Sequence, residues 1–188
     1  MATGELDHIE EIATDEESAK YFAEVAGYDK WPDNVGIEFD NALRLATIGA
    51  IRGDFATAIQ GYRAVEAEFL PRVGDIKENV QQVQRHIIEM ILRAAIDKNE
   101  AFETCWQYWT ELVSLGFYRI ERRCHATWAF AYYCAEQQHT DIGLGLLEPL
   151  IAELERLLAE VDKHGATFYQ HHLDLLIKLR ARLEAERA

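Results

Sequence analysis

An all-α fold of antiparallel helix pairs is predicted by three observations. Apolar residues recur at intervals of three and four along most of the chain beyond residue 39. Only 3 prolines and 11 glycines occur among 188 residues, too few for the many turns of an all-β chain. Most of those breakers stand between the periodic stretches, as at Gly53-Asp54, Pro71 to Gly74, Gly116 and Gly165.

The elements follow in order. Thr14 or Asp15 caps a short helix through Ser18 to Ala26, ended by Gly27, and Trp31 is held extended by Pro32. A first pair spans 39–70: Ala42, Leu45, Ala46 and Gly49 form the inward face of its first helix, and Phe55, Ala58, Ile59, Tyr62 and Val65 that of its second. A second pair spans 76–116. Val80, Val83, Ile87, Ile88, Ile91, Leu92 and Ala95 point inward before a turn at Asp97 to Glu100, and Phe102, Cys105, Trp106, Trp109 and Leu112 return. A third pair, 118–163, has Trp128, Ala131, Tyr132 and Ala135 inward, turns at Gln138 to Asp141, and returns along Leu146, Leu147, Leu150, Ile151, Leu154, Leu157, Leu158 and Val161. A last helix, 166–187, carries Phe168, His172, Leu175, Leu176, Leu179 and Leu183 on one side and charge at its end, as a terminal cap should.

Charge separates a leading segment from the rest. Residues 1–40 hold twelve acids against Lys20 and Lys30, a net of −10, whereas the whole chain is −14. We therefore expect an acidic N-terminal arm with one short helix over 1–38 and a helical domain over 39–188. A field of this sign repels nucleic acid and anionic membrane. No run of eighteen apolar residues and no basic, then apolar, leader is present, so a cytoplasmic protein is expected. Cys105, Cys124 and Cys134 lie within apolar helical pattern and read as reduced core residues.

Around the first break the small and large residues are ordered as Gly53, Phe55, Ala58, Tyr62 and Val65. This order resembles the turn of the tetratricopeptide repeat family, where Gly or Asn breaks the first helix and an aromatic two residues on begins the second. Aligning Gly53 with Asn99 and His139 superposes Ala42/Ile88/Trp128, Leu45/Ile91/Ala131, Ala46/Leu92/Tyr132 and Gly49/Ala95/Ala135. The returning helices match as Phe55/Phe102/Ile142, Ala58/Cys105/Gly145 and Tyr62/Trp109/Pro149 once the second and third turns each gain one residue. The spacings, 46 and 40 residues (53 to 99 to 139), exceed the family's usual length of about 34 and suggest a long-repeat variant.

The resemblance implies that the pairs stack side by side into a superhelix closed by the C-terminal capping helix, with a concave wall lined by the first helix of each pair, and a partner protein or peptide segment as its occupant. The groove positions it implies include Leu43, Thr47 and Ile51, then His86, Glu89, Arg93 and Asp97, then Tyr133, Glu136 and Gln137; Ala50 also falls on this wall. Members that clamp a C-terminal carboxylate use several basic and amide side chains, of which only Arg93 has a counterpart here. An internal segment or amphipathic helix with apolar anchors is the better expectation. Arg119, Arg122 and Arg123 form a basic patch, either a solvated helix start or a docking place for the acidic N-terminal arm.

Chemistry finds little support. Glu136 and His139 have the Glu-x-x-His spacing of carboxylate-bridged metal sites, but the one other such pair, Glu5 and His8, lies in the arm. No phosphate loop, nucleophile elbow or Ser/His/Asp arrangement is visible, and Cys124 and His125, adjacent on a helix, point about 100° apart. We therefore expect a non-enzymatic adaptor or chaperone-like scaffold without cofactor or metal. A peptide-sensing regulatory domain, a metal-dependent helical bundle and a homo-oligomerising module are the alternatives.

Overall fold

The structure, a computed structural model, describes residues 31, 34–74, 77–117, 119–161 and 163–187. Most of the acidic arm, with its expected helix, lies outside the described residues. Seven helices occupy the described chain: α1 (Val35–Ile51), α2 (Phe55–Phe69), α3 (Lys77–Asp97), α4 (Phe102–Leu115), α5 (Ile120–Glu136), α6 (Thr140–Glu160) and α7 (Lys163–Arg187). No strand occurs among the described residues. Two compact units divide between Gly116 and Phe117.

In the first unit each helix packs on the next, α1 on α2, α2 on α3 and α3 on α4. An aromatic group anchors α1 against α2. The ring centroids of Trp31 and Phe39 are 5.2 Å apart and those of Phe39 and Phe69 5.5 Å apart, a tilted and an edge-on contact. Tyr62, Val65, Val73, Val83, Ile87 and Ile91 complete this core. The stripe Val35, Phe39, Leu43 therefore sets the rotation of α1. Leu45, expected inward, stands about 200° from Leu43 on the helix and is 51% exposed. Ala42 and Ala46 do pack against the core, and Gly61 lets α2 approach closely: a Cβ there would meet that of Ala46 at 3.1 Å.

The three hairpin turns share one hydrogen-bonding scheme. Asp54 N donates to Gly49 O (2.9 Å) and Gly53 N to Ala50 O (3.0 Å). Glu100 N to Ala95 O and Asn99 N to Ile96 O repeat it, as do His139 N to Cys134 O and Gln138 N to Ala135 O. Each is a Schellman closure, in which one residue with positive φ turns the chain so that the last carbonyls find donors. Those residues are Gly53 (φ 81°), Asn99 (φ 57°) and Gln138 (φ 64°). Beyond the first turn Asp54 caps α2, its side chain accepting from Thr57 N at 3.1 Å, and this bond lowers the Asp54 pKa.

The third turn corrects the sequence alignment by one residue, because Gln138 and not His139 takes the left-handed position. Counting from Gln138, the inward positions of α5 become Thr127, Phe130, Ala131 and Cys134, all buried. Trp128, expected inward, is 40% exposed. On α6 the counterparts of Ala58 and Tyr62 become Gly143 and Leu147, and no inserted residue is needed. Leu147 is fully buried, whereas Gly145 and Pro149, the expected counterparts, are exposed.

In the second unit α5 packs on α6, α6 on α7, and α7 also reaches α5. Its core holds Cys124, Ala131, Leu147, Leu150, Ile151, Leu154, Leu173, Leu176, Leu179 and Leu183. The α7 stripe matches expectation at His172, Leu176, Leu179 and Leu183, but Phe168 is exposed and Leu173 takes an inward place. Gly143 is the contact point of α6 with α5, since a Cβ there would lie 2.7 Å from Ala131 O.

This register makes a paired prediction. Gly143→Ala should destabilise the protein by about 1–3 kcal/mol in urea unfolding, because a backbone carbonyl must move. Gly145→Ala, whose Cβ would meet nothing within 4 Å, should stabilise by about 0.5–1 kcal/mol through helix propensity. A second check concerns the turn: Gln138→Gly should raise stability by about 0.5–1 kcal/mol by removing the penalty of a side chain at positive φ. His139→Gly should bring no such gain.

Candidate functional site

The last turns of α1 and α3 flank Tyr62 of α2 and leave a pocket of about 250 Å³ inside the first unit. Thr47, Ala50 and Ile51 come from α1, and Met90, Arg93, Ala94 and Asp97 from α3. Its base is held by a relay of hydroxyls. Tyr62 Oη donates to Thr47 Oγ1 (3.1 Å), and Thr47 Oγ1 donates to the Leu43 carbonyl (2.8 Å). Burial raises the Tyr62 pKa, so the phenol stays protonated as this donor role requires. The walls are apolar, from Ala50, Ile51, Met90 and Ala94. Arg93 and Asp97 are exposed, and neither has a hydrogen-bond or ion-pair partner among the described residues.

Thr47, Ile51, Arg93 and Asp97, four of the sequence-derived groove residues, thus line one concavity with Ala50. The others lie elsewhere. Leu43 is 9% exposed and belongs to the core, turned inward by the rotation of α1 that Phe39 sets. His86, half-buried, has Nδ1 2.9 Å from the Gln82 carbonyl, one turn back on its own helix. Glu89 is half-buried and outside the pocket lining. Sequence reasoning missed Tyr62 and Met90 as lining residues. Tyr62 was legible as a large inward residue of α2, but its hydroxyl reaches through to the pocket base.

In the second unit Tyr133 is 3% exposed, its ring centroid 6.0 Å from that of Phe130. It is enclosed because the one-residue shift at Gln138 turns it away from the open side. Trp128 and Tyr132 take that side instead. Their rings are nearly parallel at 5.7 Å, and the Arg182 guanidinium lies 4.8 Å from the Tyr132 centroid. Glu136 is 3.6 Å from Arg182, and Gln137 caps the end of α5. His139 stands at the N-cap of α6. Among the described residues no group of three or more His, Cys, Asp or Glu could hold a metal ion.

The basic patch is partly neutralised. Arg123 pairs with Glu153 of α6, and Arg119 lies 3.6 Å from Glu121; Arg122 is exposed. All three cysteines are buried and unpaired with one another. Burial pushes the Cys124 thiol up to about 11, which leaves it protonated and unreactive at neutral pH.

A histidine cluster joins α5 to α7. His172 is 6% exposed, with ring centroids 5.2 Å from His125, 5.5 Å from His171 and 4.8 Å from Phe168. Its Nδ1 is buried without a hydrogen-bond partner among the described residues. Desolvation, then the neighbouring His125 and His171, lower its pKa below 6.5, against a smaller opposing effect of Glu121.

Scans against protein-family models, curated proteins and solved structures return no significant match to this chain. No helix among the described residues is long and apolar enough to cross a membrane.

His172 predicts a pH dependence with a definite sign. The unfolded chain binds its proton more readily than the folded one, so the contribution of His172 is fully present above pH 6.5 and is lost as pH falls through the lower folded value. Urea midpoints measured from pH 7.5 to 5 should decline, and His172→Leu should flatten that decline. An unchanged slope would remove His172 as its source.

Proposed function

We propose that this chain is a non-enzymatic protein-interaction scaffold of the tetratricopeptide-like, long-repeat kind, and that the concavity of its first unit receives a segment of a partner polypeptide. The pocket carries this reading, because four of the ten residues that the repeat resemblance implies for a binding wall, Thr47, Ile51, Arg93 and Asp97, meet around one cavity. Two further features support it. Three successive helix pairs end their first helix with the same left-handed closure. At the first closure Gly49, four residues before Gly53, faces Ala58 near the start of the returning helix, 3.4–3.5 Å from where its Cβ would stand.

The pocket's size also speaks to ligand class. Clefts for drug-sized molecules and cofactors run from about 300 to 1,000 Å³, so this one suits a single side chain better than a nucleotide. Catalysis gains no candidate from it. Its titratable groups are a buried phenol held protonated, one guanidinium and one exposed carboxylate, with no nucleophile and base in hydrogen-bond reach.

A diazirine amino acid of methionine size placed at Met90, on the pocket wall, should cross-link a discrete polypeptide in native lysate. The same group at Glu103, on the exposed face of α4, should not. Identical cross-linked species from both positions, or none from Met90, would refute a partner seated in this pocket.

A further inference from the structure

The two charges at the pocket deepen the functional reading and rest on it. Arg93 and Asp97 are one helical turn apart on α3, about 6 Å along the axis. A basic residue preceding an acidic one by four is the weaker order for pairing within a helix. They make no ion pair with each other, and each is exposed beside an apolar wall. Asp97 is the last residue of α3, where the helix's own partial charge is negative and a second cation is welcome. Arg93, one turn back, offers a planar fork matched to a carboxylate. Ala50, Ile51, Met90 and Ala94 frame apolar room beside them, with the Tyr62 and Thr47 hydroxyls at the base.

We propose that the pocket recognises a helical partner segment bearing one aliphatic anchor flanked by an acid and a base one turn apart, the anchor in the pocket, the acid on Arg93 and the base on Asp97. Charge complementarity and the apolar walls select this occupant. A segment with two acids would set a carboxylate against Asp97, and one with two bases would set a cation against Arg93. Positions i, i+3 and i+4 of a helix share one face, which brings acid, anchor and base to the pocket together.

The test uses a phage-displayed library of random sixteen-residue peptides, selected on the full-length chain and on a variant carrying Arg93→Glu and Asp97→Lys. Both positions are exposed and the exchange conserves net charge, and far-UV circular dichroism with a urea midpoint verifies folding. Selection on the native chain should enrich an aliphatic residue flanked by one acid and one base. Individual peptides should bind the exchanged variant about tenfold more weakly. The variant should enrich the opposite order of acid and base along the same helical direction. Enriched peptides that ignore the exchange, or that lack the acid, anchor and base, would overturn this inference. The broader reading would stand in that case if Ala50→Leu, which narrows the pocket, still abolished binding. Enrichment of nothing, or of peptides indifferent to Ala50→Leu, would overturn both.

Discussion

The left-handed residue at the end of each first helix is the constraint on which the rest of this structure depends. A helix leaves its last carbonyls without partners, and turning one residue to positive φ lets the following amides reach back to them. That closure fixes the angle at which the chain leaves, and so which residues of the returning helix face the first. At Gly53 the closure brings Ala58 against Gly49, with a would-be Cβ contact of 3.4–3.5 Å, and puts Tyr62 beneath Thr47. The pocket is a consequence, since Tyr62 could not form its base from a helix leaving one residue earlier or later.

Small residues then decide how near two helices come. Gly143 stands where α6 presses on the Ala131 carbonyl, and Gly61 where α2 meets Ala46. Close approach allows the large residues beyond, Leu147 and Tyr62, to be wholly enclosed. The same economy explains why Pro149 is tolerated within α6. It lies on the exposed side, and the buried stripe Leu147, Leu150, Ile151 and Leu154 passes around it.

Much of this was legible in the sequence, and the failures have identifiable causes. Helix positions followed from periodicity to within a few residues. The α3 face, Ile88, Ile91, Leu92 and Ala95, was read correctly because a β-branched and apolar stripe leaves one choice of rotation. The third turn was misplaced by one because Gln137, Gln138 and His139 contain no Gly or Asn to mark the left-handed position. One residue is 100° of helix, enough to exchange Trp128 for Thr127 on the buried side and to enclose Tyr133. Leu45 was misread for another reason: apolar character alone does not bury a residue, and no described helix precedes α1 to cover that side. At the pocket, Thr47, Ile51, Arg93 and Asp97 are positions that the repeat resemblance implies, and they line one concavity. Leu43 could not be excluded without knowing that Phe39 sets the rotation of α1.

The pocket and the histidine cluster show how differently two groups of polar residues are used. His172 sits against rings and apolar residues with Nδ1 unmatched, an arrangement that favours the neutral ring and costs stability on acidification. Nothing about it calls for a ligand, since neighbouring His125, His171 and Phe168 already enclose the ring. Arg93 and Asp97 are the reverse case, being solvated, so that leaving them unpaired costs the fold little. Many of the chain's other exposed charges are paired along or between helices, as Arg156 is with Glu160 and Arg182 with Glu186. Arg93 and Asp97 therefore stand as two opposite exposed charges beside an apolar cavity, contributing little to the helix that carries them, and it is on them that the proposed complementarity rests.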